Sequence, residues 1–473
     1  MSTPLAQTST TTDDRRFFVA LFLFATLTFG AYFLYTTPPY MGADERNHVN
    51  RAWAISTGEF YPSTEGNRRG GQSPVALLGM KDDFWGLRFN YIGRTDWATV
   101  NKYASLPLEA EQTQFFDYPN TAVYPWPVYA PAAVGLAAAR AMDVSLLSTL
   151  RMARWAGLLT WLCAGGLALW WLPAWRGLFT ALLLLPMTVW THAMVSADTM
   201  TNSVAFLALA YILRLAYAPK LTVTPGRLAL LLGLAVTLAT TKLVYTPLLL
   251  LALLIPAVRF STYGGKWLAA AAVAVGALLT LVYWTHQSSQ IYLPFADYAP
   301  EVRAADIGLT AEANVPQHRD MILKAPHRLF RAAGNGLVEA FEFYTRGYIG
   351  ILGWIDTYLP APVYSWAYVF LFGVALTERK TRWLTKLVLL LTVVACYLLV
   401  ALSQLLSWEA VGAHVVNALM GRYFIPFAPL VFLLFAGVDW RPWGRKWVVG
   451  LCSVALLLIA GWSLYSRYYI PIE

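Results

Sequence analysis

Charge is what this sequence has least of. Only 13% of its 473 residues are Asp, Glu, Lys or Arg, against about a quarter in a soluble domain, so an ordinary soluble fold is excluded. Cysteine is also scarce. Cys163, Cys396 and Cys452 each sit inside an apolar block, which excludes a disulfide framework and a cysteine knuckle for a metal and reads as small buried hydrophobes. His286, His318, His327 and His414 are scattered without metal-ligand spacing. No glycine loop for phosphates and no nucleophile elbow is present. No internal repeat is evident, which argues against an inverted-repeat transporter. The opening apolar run has no small-residue cleavage site before Thr36, so it reads as a membrane helix rather than a signal peptide.

What is abundant is apolar and aromatic sequence. Hydrophobic residues make up 58% of the chain, with 20 Trp, 26 Tyr and 24 Phe, as expected where rings sit at membrane interfaces. A bilayer core of about 30 Å needs about 20 apolar residues per helix, and only helices or closed barrels satisfy their backbone there. The expected fold is an all-α integral membrane bundle forming a single domain over 1–473. Eleven apolar segments mark its crossings, at 17–36, 152–172, 177–193, 199–214, 228–241, 243–258, 267–285, 362–377, 383–403, 420–438 and 447–465. The hairpin between 228–241 and 243–258 is short for two full crossings.

With Arg15 and Arg16 in the cytoplasm, five short loops become cytoplasmic. They carry Arg176, Arg214 to Arg227, Arg259 to Lys266, Glu378 to Arg382, and Arg441 to Lys446, and each is basic, as the positive-inside rule requires. The net charge of +9 is therefore a topology signal, and no nucleic-acid partner is expected. The segment 126–142, with two prolines and a short apolar run, is expected as a juxtamembrane helix, because counting it as a crossing would invert every later loop. Two large extracytoplasmic loops follow, at 37–150 and 286–361. Their weak strand patterning predicts short helices.

The residues that could do chemistry cluster at the outer ends. Pro38 and Pro39 end the first helix. Asp44 is placed to cap a helix that runs to Gly58, with Glu45 and His48 on one face. An acid at the membrane boundary can act as a general base; it can equally be a cap in a solvated turn. Asp198, in Ser196-Ala197-Asp198, presents the same pair of readings at the start of the fourth apolar segment. Arg151, Arg154, Lys242 and Arg422, next to Tyr423, are cations on the outer side, against the topological bias. A phosphate partner explains them, and so does snorkelling to headgroups. Gly350 to Pro360 holds Trp354 and Asp356 in a turn that suits stacking on a sugar or anchoring at the interface.

Taken in order, these elements resemble a family of bacterial polytopic membrane proteins related to the GT-C glycosyltransferases. The resemblance rests on Pro38-Pro39 with Gly42, Asp44-Glu45 and His48; Ser196, Asp198 and Asn202; Lys242 with Pro247; Gly350 to Pro360; and Gly421-Arg422-Tyr423-Phe424-Ile425-Pro426. It spans nearly the whole chain. The proline-rich Tyr124 to Tyr129 segment is similar to the juxtamembrane helix of GT-C enzymes. The resemblance implies a transferase in the bacterial inner membrane. It would move a sugar from a polyprenyl-phosphate donor to an extracytoplasmic glycan, lipid or protein, with inversion. It implies Asp44 as base, Glu45 in support and Asp198 as a second acid. Arg151, Arg154, Lys242 and Arg422 would hold the donor phosphate, with His48, Trp354, Asp356 and Tyr423 at the substrate. Relatives vary in whether they use a second acid and a divalent metal, so the resemblance implies no certain cofactor and leaves a divalent metal open. Two other functions compete: a lipid-linked sugar flippase or transporter, and a structural part of an envelope assembly complex.

Overall fold

The computed structural model describes residues 12–262, 264–304, 310, 312–438 and 444–471. The polar tail 1–11 and Arg441 lie outside the described residues. The chain is mostly helical. Among the described residues, six helices are long and apolar enough to cross a membrane: Asp14–Thr36, Leu146–Trp171, Asp198–Tyr217, Gly265–Ile291, Trp383–Ser407 and Arg445–Tyr469.

The remaining apolar segments are shorter or broken, for reasons written in their residues. The segment 177–193 is two helices, Arg176–Leu183 and Pro186–Ala193. Pro186 supplies no N–H and pushes the residue before it out of helical geometry. Pro225–Thr241 is α-helical, but Leu243–Leu254 is a 3-10 helix with Pro247 inside it. The segment 420–438 begins as a 3-10 turn, Gly421–Phe424, and continues as Ala428–Phe435. The proline-rich segment ends in the helix Ala130–Ala141. Its 12 residues rise only ~18 Å, well short of a bilayer core.

The bundle has two chemically different ends. At one, the short basic loops touch one another. Trp175 Nε1 donates to the Arg379 carbonyl at 2.9 Å, and Arg445 pairs with Glu378. Tyr217 and Thr385 share a hydroxyl bond of 2.8 Å, and Arg259 Nη1 donates to the Leu221 carbonyl at 2.7 Å. At the other end, Asp44, Asp198, Lys242 and Arg422 meet under the two polar regions.

Those polar regions contain short helices, including Val315–Lys324, His327–Glu339 and Phe341–Gly350. Among the described residues they also hold two antiparallel ribbons, contrary to the helix-only expectation. One pairs Gly70–Pro74 with Thr113–Asp117, and the other pairs Ile351–Leu352 with Thr357–Tyr358. Glycine makes the first one fit, since a Cβ on Gly70 would lie 2.0 Å from the Phe116 carbonyl oxygen. A five-residue strand with two leading glycines has too little alternation to be read from sequence.

Candidate functional site

The Pro38-Pro39 turn hands the chain to the helix Glu45–Ser56 through two left-handed residues, Tyr40 at φ 63° and Asp44 at φ 58°. Asp44 does not cap that helix as expected. In the left-handed conformation its side chain makes no hydrogen bond to the first turn, and its carboxylate points into a cleft instead. Asp198 does not cap either. The Ser196 hydroxyl accepts the Asp198 amide hydrogen at 3.1 Å, which leaves the Asp198 carboxylate for the same cleft.

Four charges meet there. Arg422 Nε lies 3.3 Å from Asp198 Oδ2, and Arg422 Nη2 lies 3.8 Å from Asp44 Oδ2. The Lys242 ammonium pairs with Asp198 Oδ1. Lys242 is extended, at φ −141°, at the joint between the helix Pro225–Thr241 and the 3-10 run, so its side chain turns inward. Arg422 is aimed by Gly421, where a Cβ would lie 2.1 Å from the Tyr348 amide nitrogen; only glycine lets that turn seat against the helix Phe341–Gly350. Tyr423 lies beside both cations, its ring centre 5.1 Å from Lys242 Nζ and 5.5 Å from Arg422 Cζ. Tyr124 faces Lys242 from the other side at 5.4 Å.

Asn120 Nδ2 donates to Asp44 Oδ1 at a long 3.4 Å, and Asn120 Oδ1 accepts from Asn47 Nδ2 at 2.7 Å. His48 Nδ1 bonds the Tyr129 hydroxyl at 2.8 Å. Burial lowers the His48 pKa to about 3, so the ring is neutral. Burial lifts the Tyr124 phenol to about 12. Asp44 differs from Asp198 in exposure, with side chains 20% and 8% accessible. Burial raises the Asp44 carboxyl above the ordinary carboxylate range; Arg422 pulls it down, and the neighbouring Asp198 charge adds to the rise. An acid that protonates readily, faces a cavity and sits beside a guanidinium has the properties of a proton acceptor.

Glu45 belongs elsewhere. It is fully buried and its oxygens are saturated. Arg154 Nε and Nη2 donate to them at 2.7 and 2.6 Å, the Val195 amide at 3.1 Å and the Gly42 amide at 3.3 Å. Arg154 spends its remaining hydrogens on the carbonyls of Leu34, Thr37 and Pro38. This pair ties the turn after the first helix to the helix Leu146–Trp171 and does not reach the cleft. Arg151 lies over the Tyr35 ring, 4.8 Å from its centre, and is not part of the cleft either. Asp356 is buried against Arg467 at 3.0 Å. Trp354 does face the cavity, with its Nε1 donating to the Tyr40 carbonyl at 2.8 Å.

The cleft continues into a wider chamber of about 260 Å³. Asp44, Trp408 and Tyr423 line both parts. The chamber adds Trp85, Phe89 and Trp354 with two cations, Arg46 and Arg88. Sequence reading missed Trp85, Arg88 and Phe89. The run Trp85-Gly86-Leu87-Arg88-Phe89, aromatic and basic in an otherwise polar loop, is the signal that was there. Across both parts, four cations face two carboxylates. The residues do not fit a divalent metal, because Lys242 and Arg422 already lie against the Asp198 oxygens, and the described residues hold no group of three or more His, Cys, Asp or Glu placed to bind one.

No curated protein and no solved structure matches this chain. Residues 27–431 match a family described as a predicted membrane protein (DUF2142). That stretch runs from within the first helix to the helix Ala428–Phe435 and contains every residue of the cleft. The chain belongs to the membrane protein family DUF2142.

Proposed function

We propose that this protein is a membrane glycosyltransferase of the GT-C kind, using a polyprenyl-phosphate-linked sugar. The observation that carries the reading is the pairing of a cavity-facing Asp44, whose carboxyl is raised by burial, with Arg422 and Lys242 in one cleft. Asp44 takes the proton of an acceptor hydroxyl. The acceptor oxygen bonds to the anomeric carbon as the bond from that carbon to the phosphate oxygen breaks. The electron pair leaves with the polyprenyl phosphate, whose charge Lys242 and Arg422 stabilise. One displacement inverts the anomeric centre. Asp198 holds the two cations in place. Arg151 and Arg154 take no part in holding the phosphate, and Glu45 acts only by fixing the turn that displays Asp44.

The two ends of the bundle support an orientation. The end where the basic loops gather faces the cytoplasm by the positive-inside rule, together with the N-terminus. The cleft then opens at the outer face of the bacterial inner membrane. Eleven crossings are consistent with that orientation, the short and broken helices being packed within the bundle. A lipid donor fits such a place, because its phosphate lies at headgroup level.

The test is sugar transfer in proteoliposomes of the purified full chain, supplied with a panel of polyprenyl-phosphate hexoses and pentoses. Asp44→Asn should lower the rate by ~10²–10⁴-fold while the protein still purifies folded. Unchanged transfer by Asp44→Asn would move the base elsewhere. Release of lipid-linked sugar across the bilayer without any transfer would favour a flippase.

A further inference from the structure

Among the described residues three histidines are buried, His48, His192 and His318. Each bonds through one ring nitrogen. His192 Nδ1 meets the Thr188 carbonyl, and His318 Nε2 meets the Glu409 carbonyl. The second nitrogen of these two is sealed in protein with no partner among the described residues. His48 differs. Its Nδ1 bonds the Tyr129 hydroxyl at 2.8 Å. Its Nε2 has no hydrogen bond among the described residues either, but that atom is not sealed in. The His48 ring lines the cleft of Asp44, Asp198, Lys242 and Arg422 and is only 6% exposed overall, so Nε2 opens into that cleft.

Tyr129 decides which nitrogen carries the proton. It is buried, and its hydroxyl has one hydrogen-bond partner among the described residues, His48. A phenol can donate or accept. If it accepted from Nδ1, its own hydrogen would be buried with nothing to meet, which folded proteins avoid. It therefore donates to Nδ1, and the single proton of a neutral ring lies on Nε2. Burial keeps the ring neutral; Asp198 draws it toward charge, and Arg422 and Lys242 oppose that pull. Tyr129 ends the 3-10 turn Trp126–Tyr129, and the helix Glu45–Ser56 packs against that turn. The cleft thus holds an N–H of fixed direction and no charge beside its ion cluster.

Two kinds of group line this cleft. Lys242 and Arg422 suit the charged oxygens of a phosphate. His48, Asn120, Thr121 and Tyr124 line it without charge, since the Tyr124 phenol, lifted by burial to about 12, keeps its proton. A neutral imidazole, an amide and hydroxyls are the groups that fix the orientation of an uncharged polar ligand. Phosphate oxygens bond more strongly to the cations, which leaves the neutral N–H to the sugar that the phosphate carries.

We propose that His48 Nε2–H donates to a hydroxyl oxygen of the transferred sugar, and that Tyr129 is the positioning residue that keeps the proton on that nitrogen. His48 thereby selects among donor sugars. That the sugar is one being transferred rests on the transferase reading; the fixed N–H and its contact with a sugar do not.

The experiment is histidine-selective nitrogen NMR of the full chain in detergent, with His48→Gln identifying the His48 signals. At neutral pH the parent ring should be neutral with its proton on Nε2, and in Tyr129→Phe the proton should be shared between both nitrogens. The 1-phosphates of glucose, galactose and mannose carry a sugar on phosphate without a lipid. At least one should shift the Nε2 signal, while inorganic phosphate should leave it in place. A proton on Nδ1, a charged ring, an Nε2 signal that no hexose phosphate moves, or an equal shift from inorganic phosphate would each overturn the inference. In a working transfer assay, His48→Leu should flatten the preference among hexose donors by about tenfold, and His48→Gln, which keeps an N–H donor, should retain part of it. An equal loss for every donor in His48→Leu would also overturn it. Because the NMR measurement needs no turnover, a hexose-phosphate shift without any transfer would count against the transferase reading alone.

Discussion

Asp44 and Glu45 are neighbours in sequence, share a charge and were read together, yet the fold gives them opposite work. Glu45 is sealed from solvent and meets two amides and a guanidinium. Asp44 lies in a left-handed turn, with a long contact from Asn120 and the Arg422 guanidinium 3.8 Å from its carboxylate. A half-satisfied carboxylate is a poor structural element and a good proton acceptor; a saturated one is the reverse. The lesson is that a pair of adjacent acids should be divided by counting the donors each one meets.

The largest effect expected from breaking this contrast is on the structural side. Glu45→Ala leaves Arg154 buried without its partner, and removing one member of a buried pair costs about 3–5 kcal/mol. Thermal unfolding in detergent should show a large loss of stability, and Glu45→Ala with Arg154→Met together should recover part of it. A double variant no more stable than Glu45→Ala alone would deny that the unpaired guanidinium is the cause.

Next in size is Lys242→Met, which leaves Asp198 with Arg422 alone. Transfer should fall by roughly 10²-fold with a modest change in unfolding temperature. A normal rate would remove Lys242 from the leaving-group role.

A smaller effect concerns acidity. Asp44 works as a base only when ionised, and its carboxyl titrates above the ordinary aspartate value. The transfer rate should therefore fall as pH drops through that raised value, sooner than a surface aspartate would allow. In stability the sign is opposite. A raised acid favours the folded state below its unfolded pKa, and this contribution is lost as pH rises through the folded value. Asp44→Asn, which cannot ionise, should flatten that loss. A rate profile unchanged down to the ordinary aspartate range would contradict the poise.

The smallest effect tests the wall of the chamber. Arg467, in the last helix, donates to the carbonyls of Leu87, Asn90 and Gly93 and to Asp356. It thereby joins the loop of Arg88 and Phe89 to the turn of Trp354. Arg467→Lys keeps the charge but lacks the fork, and should lower the unfolding temperature modestly. An unchanged unfolding temperature would mean that the two loops hold their places without it.

Much of this site was legible because its residues sit where a membrane sequence punishes charge. Asp198, Lys242 and Arg422 stand out against apolar surroundings, and all three reach the cleft. The division of labour was not legible. Arg154 looks like Lys242 in sequence, and only the fold, which brings it 109 residues back to Glu45, reveals it as a structural partner. The cap role expected of Asp44 failed because residue type alone does not report the sign of φ. Arg88 and Trp85 went unread because their loop has neither period nor motif; the ribbon and the last helix position them. The apolar segments were legible as helices, and the breaks in two of them fall at prolines, Pro186 and Pro247, which an apolar run alone does not weigh.

The most direct measurement compares Asp44→Asn and Glu45→Gln side by side, reading thermal unfolding and sugar transfer from the same preparations. The account predicts that Asp44→Asn unfolds at or above the parent temperature and transfers nothing, while Glu45→Gln unfolds earlier and its folded fraction still transfers sugar. Transfer retained by Asp44→Asn, or lost by a Glu45→Gln protein as stable as the parent, would contradict it.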